Sequence, residues 1–70
     1  MPIIDVTMIE GRSKQQKRSL IAELTMAAVR AVDAPVESVR VILREVPAEH
    51  FGVGGKSKAE MLELTKPVDE

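Results

Sequence analysis

Cysteine is absent from this chain, so disulfide reinforcement and thiolate metal sites are excluded. The single histidine, His50, cannot make a zinc site built on imidazoles. Tryptophan and tyrosine are missing as well. Phe51 is the one aromatic residue, which excludes an aromatic platform for stacking bases. Charge of one sign is also lacking: 10 basic and 11 acidic residues give a net charge of −1. Such a balance exerts no global pull toward nucleic acid or an anionic membrane. No stretch approaches the roughly 20 apolar residues of a membrane span. No basic segment followed by an apolar core marks the amino terminus as a signal peptide. A soluble cytoplasmic chain is expected, with no nucleic-acid and no membrane partner.

What is present is a short but apolar chain. Seventy residues, 44% of them hydrophobic, make one small domain. Domains of this size bury only about 60% of their unfolded surface and are marginal alone. Small folds are reinforced by disulfides, metals or association. With the first two excluded, association is the remaining route, and an oligomer is expected.

Residues 2–9, PIIDVTMI, alternate as a strand. Ile4, Val6 and Met8 take one face, and Ile3, Asp5, Thr7 and Ile9 the other. Gly11 breaks the chain in the turn at 10–12. Ser13 with Gln16 three residues later is a capping box, which predicts a helix start. The helix should run over 14–32, with Leu20, Ile21, Leu24, Ala27, Ala28 and Ala31 as its apolar stripe. Ala22, Met26 and Val29 widen that stripe, so the helix should meet more than its own sheet. Asp33-Ala34-Pro35 ends it, because the residue before a proline avoids helical angles.

Residues 38–46, SVRVILREV, predict a second strand with Val39, Val41 and Leu43 on one face. Strand, long helix, strand is a βαβ unit with parallel strands and a right-handed crossover. Two strands alone do not make a stable sheet, which again asks for a partner chain. PAEHFGVGG at 47–55 predicts a tight hairpin or a short edge strand. Ser57 with Glu60 repeats the capping-box pattern, predicting a short terminal helix, and the chain from Thr65 onward is expected to fray. The fold class is therefore α/β. A βαβ domain over 2–55 carries the hairpin, and 56–70 forms a tail with a short helix.

Few residues offer chemistry. FGVGG has neither the lysine of a phosphate-binding loop nor the glycine spacing of a dinucleotide fingerprint, and it reads as a turn. His50 reads as a loop residue. Arg12 lies in the turn after the first strand, and Arg40 and Arg44 lie in the second. A strand arginine must find an anion or reach water. Asp5, Glu45 or an acid of a neighbouring chain would answer Arg40, and Arg44 is assigned to an ion pair. Pro2 has two readings. A proline lacks an amide hydrogen and so often begins a strand. If Met1 is removed, however, Pro2 becomes a free secondary amine, a base and nucleophile on a rigid element.

Pro2 behind Met1, IEGRS at 9–13, DAP at 33–35, SVRV at 38–41 and HFGVGG at 50–55 together resemble the 4-oxalocrotonate tautomerase family. The likeness runs over residues 2–55, in order and at compatible spacing. It implies a compact βαβ subunit and a homo-hexamer, a trimer of dimers. It also implies a keto–enol tautomerase of unsaturated 2-oxo dicarboxylates without metal or cofactor. The family's catalytic base matches Pro2. Its turn arginine matches Arg12, which would grip the distal carboxylate. Its strand arginine matches Arg40, which would hold the near carboxylate and polarise the 2-oxo group. Its aromatic matches Phe51, and Ile9 with Phe51 would form the apolar wall. Ser38 lies beside the site by position.

Elementary chemistry agrees with this likeness. Moving a proton between a hydroxyl and a distant carbon needs one group that takes and returns it, with a pKa near the operating pH. A free α-amine titrates near about 8. Apolar walls and neighbouring guanidinium groups disfavour its charged form. Two planar guanidinium groups suit a dianionic substrate. The alternatives are a related proline-dependent decarboxylase or hydrolytic dehalogenase of small acids, or a non-catalytic oligomeric scaffold. Nucleic-acid binding through Arg40 and Arg44 is a distant third.

Overall fold

The computed structural model describes residues 1–65, with side chains to Glu63. Strand β1 (Ile3–Ile9) leads through a short turn into helix α1 (Lys14–Val32), which returns the chain to strand β2 (Arg40–Val46). The strands pair in parallel, from Ile3 opposite Arg40 to Ile9 opposite Val46. The ladder is extended by one bond at each end. Arg40 N–H donates to the Pro2 carbonyl at 3.0 Å, and Glu10 N–H to the Val46 carbonyl at 2.9 Å.

Helix α1 begins and ends on local signals. The Ser13 hydroxyl accepts from Gln16 N–H at 3.1 Å, and Gln16 Oε1 accepts from Ser13 N–H at 2.9 Å. Both bonds of the capping box are therefore made. At the other end Asp33 adopts φ 57° and ψ 42°, a left-handed cap, and its N–H donates to the Val29 carbonyl at 3.0 Å. Aspartate tolerates this conformation better than most side chains.

The second strand differs from its expected start. Val36–Ser38 forms a 3₁₀ turn after Pro35, so β2 begins at Arg40 and Ser38 lies outside it. The cause is local: Ser38 bonds back to the Pro35 carbonyl twice, through N–H at 3.0 Å and Oγ at 2.9 Å. Such side-chain bonds compete with a strand for the backbone.

After β2, a 3₁₀ turn at Ala48–His50 leads into a hairpin of β3 (Gly52–Val53) and β4 (Lys56–Ser57). Gly54 and Gly55 make its two-residue loop with φ of 62° and 90°. Positive φ at both central positions is what a tight hairpin needs, and glycine supplies it without strain. Helix α2 (Lys58–Thr65) follows at once, capped reciprocally by Ser57 and Glu60. It packs on the Ala48–His50 turn and on β4. The predicted fraying of the last residues falls mainly on 66–70, outside the described residues.

The βαβ unit has an inner and an outer side. Ile4, Val6, Met8, Val41 and Leu43 are half-buried, while Ile3, Asp5, Thr7, Ile42 and Arg44 stay exposed. Along α1 the half-buried apolar positions are Leu20, Leu24, Ala28 and Val29. Ile21, Ala27 and Ala31, expected within the core stripe, are exposed instead, as are Met26 and Val32. One face of a helix is about 100° wide, and the apolar residues of α1 exceed it. No described residue is fully buried, and Ile3 and Val32 each keep 63% of their surface. The radius of gyration is 16.4 Å, against about 11 Å for a compact chain of this length.

Candidate functional site

The ladder register arranges the chemistry. On the open face of the sheet, Asp5 sits opposite Ile42, two positions from Arg40 on one side and two from Arg44 on the other. Diagonal neighbours of this kind lie within reach of long side chains. Asp5 takes Arg44, in a bidentate pair at 2.9 and 3.1 Å. Arg40 is occupied differently: its Nη1 donates to the Glu37 carbonyl at 2.8 Å, a bond offered by the 3₁₀ turn. Among the described residues the ion pairs join Arg44 to Asp5 and Lys17 to Glu45, so neither Arg40 nor Arg12 is matched by a carboxylate. The expectation that Arg44 forms an ion pair holds. The acids named for Arg40, Asp5 and Glu45, are both engaged elsewhere.

The expected site residues fall into two groups. Pro2, Ser38 and Arg40 gather where β1 and β2 begin. Pro2 is half-buried and bonded through its carbonyl to Arg40 N–H, and Ser38 is tied to Pro35 two residues before Arg40. Ile9 and Arg12 lie at the other end of the ladder. At the spacing of an extended strand, Pro2 and Ile9 are roughly 23 Å apart. Phe51, half-buried, follows the Ala48–His50 turn beyond that same end, and its carbonyl accepts from Lys58 N–H at 2.7 Å. One chain therefore does not bring the two groups together.

Arg12 is exposed and borders an open concavity of about 220 Å³, lined also by Met8, Gln16 and Leu20. The sequence reading gave none of these three a place in the site. The capping box marked Gln16, and the apolar periods of β1 and α1 marked Met8 and Leu20. That they meet beside Arg12 depends on how α1 folds back onto the sheet. Among the described residues no group of three or more histidine, aspartate or glutamate side chains is placed to hold a metal ion. No described helix is long and apolar enough to cross a membrane.

The Asp5 carboxyl lies below the usual aspartate range, chiefly because Arg44 donates hydrogen bonds to its ionised form; desolvation opposes this, and the attraction of the Arg44 charge adds a smaller lowering effect. Arg44 is raised by the same contact. A depressed carboxylate contributes stability that is fully present above its unfolded pKa, near about 3.9, and lost as pH falls through the folded value. Carbon-detected NMR titration should therefore give Asp5 a midpoint below that of an exposed aspartate. Arg44→Ala should return it to the ordinary range, while an unchanged midpoint would show that the contact does not persist in solution.

The sequence and its fold are similar to those of known proteins. Residues 2–61 match the family model for tautomerase enzymes. A probable tautomerase of Ralstonia nicotianae is 58% identical over 59 residues, covering 84% of each chain. A 2-hydroxymuconate tautomerase of Pseudomonas putida is 48% identical over 61 residues, covering 87% of this chain and 97% of that one. Among solved structures, a heterohexameric 4-oxalocrotonate tautomerase of Chloroflexus aurantiacus superposes with a TM-score of 0.83 at 48% identity, over 87% of this chain and 98% of that one.

Proposed function

The chain belongs to the 4-oxalocrotonate tautomerase family, and from that premise we propose that it interconverts the enol and keto forms of an unsaturated 2-oxo dicarboxylate, without a cofactor, using Pro2 as general base once Met1 is removed. The observation that carries this reading is the ladder bond from Arg40 N–H to the Pro2 carbonyl, beside a guanidinium that no described carboxylate neutralises. It sets a cation with no acid partner next to the prospective amino terminus.

The chemistry then follows from the residue types. The proline nitrogen takes the hydroxyl proton of the enol, electrons shift along the conjugated chain, and the proton returns at a distant carbon. Arg40 holds the near carboxylate and stabilises negative charge developing on the 2-oxygen. Arg12 binds the second carboxylate, and Ile9 and Phe51 supply an apolar wall that keeps the amine unprotonated. Ser38 lies beside the site by its position in the chain. While Met1 is attached, the Pro2 nitrogen is an amide whose lone pair is delocalised into the peptide bond, and it can neither accept a proton nor attack a carbon.

A small dicarboxylate cannot reach from Pro2 to an Arg12 at the far end of the same ladder. The reading therefore requires Arg12, Ile9 and Phe51 from neighbouring copies, in a homo-hexamer built as a trimer of dimers and working in the cytoplasm. The exposed apolar side chains of α1 and of the open sheet face support association, and so does the hexameric assembly of the Chloroflexus relative.

Light scattering at micromolar concentration should give a mass several times that of one chain; a folded monomer would exclude the assembly. Activity toward 2-hydroxymuconate should scale with the fraction of protein lacking Met1, read by intact-mass spectrometry. Full turnover by chains that retain Met1 would remove Pro2 as the base. Arg40→Ala should cost about 3 kcal/mol of transition-state stabilisation, a hundredfold or more in rate. Arg44→Ala should stay within a few-fold of the parent, and equal mild losses from both would refute the role of Arg40.

A further inference from the structure

The turn that carries Arg12 is held on both sides of it. Before it, Glu10 N–H closes the ladder on Val46, and Gly11 follows at φ 130°, where side-chain-bearing residues are strained. After it, Ser13 and Gln16 bond each other reciprocally, and Ser13 is held extended at φ −73° and ψ 163°. Lys17 N–H donates to the Ser13 carbonyl at 3.0 Å, and Lys17 Nζ reaches Glu45 of β2 at 2.9 Å. Arg12 itself is exposed and has no ion-pair partner among the described residues.

The charge at this end is unusual as well. First turns of helices commonly carry aspartate or glutamate, which complement the positive end of the helix dipole. The first turn of α1 has none and carries Lys14 and Lys17 instead. No acid of that turn competes for the Arg12 guanidinium. Gln16, the second half of the capping box, also lines the concavity beside Arg12. The group that closes the cap and the group that walls the space around the arginine are thus one side chain.

We propose that the Ser13–Gln16 capping box sets the direction in which Arg12 leaves the turn, making Ser13 and Gln16 positioning residues for the second carboxylate of the substrate. The inference rests on the tautomerase reading of Arg12. An intact cap means that the backbone from residue 11 to residue 17 does not have to be ordered when a carboxylate is gripped. Breaking it moves that ordering cost into binding. The cost falls on dicarboxylates alone, because a monocarboxylate has nothing for Arg12 to hold. It also falls on KM more than on kcat, since the distal carboxylate is bound alike in ground and transition states.

The test uses Met1-free protein with 2-hydroxymuconate as the dicarboxylate and phenylenolpyruvate as the monocarboxylate. Ser13→Ala and Gln16→Ala should each raise KM for 2-hydroxymuconate by roughly tenfold, as small misplacements of a positioning group do. Turnover of that substrate, and both constants for phenylenolpyruvate, should stay within about twofold. Ser13→Thr keeps the capping oxygen without adding charge and should restore the parent KM. Circular dichroism and light scattering on each variant separate this effect from loss of fold or assembly. Equal losses on both substrates in a folded variant, or no loss on either, would overturn the proposal. Arg12→Ala runs alongside. If it weakens 2-hydroxymuconate selectively while the cap variants do not, the tautomerase reading stands and the positioning role falls. If Arg12→Ala shows no dicarboxylate preference, the carboxylate-gripping role of Arg12 and the positioning role of the cap both fall.

Discussion

The parallel ladder between β1 and β2 is the interaction on which the rest of the molecule depends. Parallel strands cannot be joined by a tight turn, so the pairing requires a crossover element, and α1 is that element. The register of the ladder then decides every neighbour on the sheet. It brings Pro2 to Arg40 at one end and Glu10 to Val46 at the other. Between them it sets Asp5 midway between two arginines. A slip of one residue would turn one strand over relative to the other and put Asp5 or Arg44 against α1.

The same ladder explains why the chain has so little interior. With two strands and one long helix there are only two surfaces to press together. The apolar positions of α1 exceed what one sheet face can cover, and the far face of the sheet keeps Ile3 and Ile42 in the open. At roughly 25 cal/mol per Å² of apolar surface removed from water, covering these side chains is a substantial driving force for association. The hairpin and α2 do not relieve the deficit, since they pack largely on the turn that leads to them.

Charge on the open face is distributed unequally between chemically identical groups. Arg40 and Arg44 are two residues apart on one strand and share a single acid neighbour. Asp5 goes to Arg44, while the 3₁₀ turn before β2 offers Arg40 a backbone carbonyl instead. The charge of Arg44 is thereby balanced by a carboxylate, and that of Arg40, at the end of the ladder where Pro2 lies, is not. This is the end at which the proposed proton transfer would take place.

Much of this was written locally and could be read without coordinates. The capping pairs Ser13–Gln16 and Ser57–Glu60, the stop at Asp33-Ala34-Pro35, the alternation of both strands and the paired glycines of the hairpin each act within one turn of chain. Local signals of that kind survive whatever surrounds them, and α1 runs over the predicted 14–32. Motifs spread along the chain also carried the family likeness, and with it the candidates Pro2, Ile9, Arg12, Ser38, Arg40 and Phe51. Tertiary structure decided what depends on residues distant in sequence. Asp5 and Arg44 are 39 positions apart; the ladder register brings Asp5 equally near Arg40 and Arg44, and Arg40 instead bonds the Glu37 carbonyl of the 3₁₀ turn. The length of β1 separates Pro2 from Arg12, so a site using both cannot be completed within one chain. The back-bonding of Ser38 moved the start of β2 to Arg40. Which apolar residues of α1 meet the sheet was likewise set by the way the helix rests on β2, because periodicity reports the width of an apolar face and not which part of it is covered.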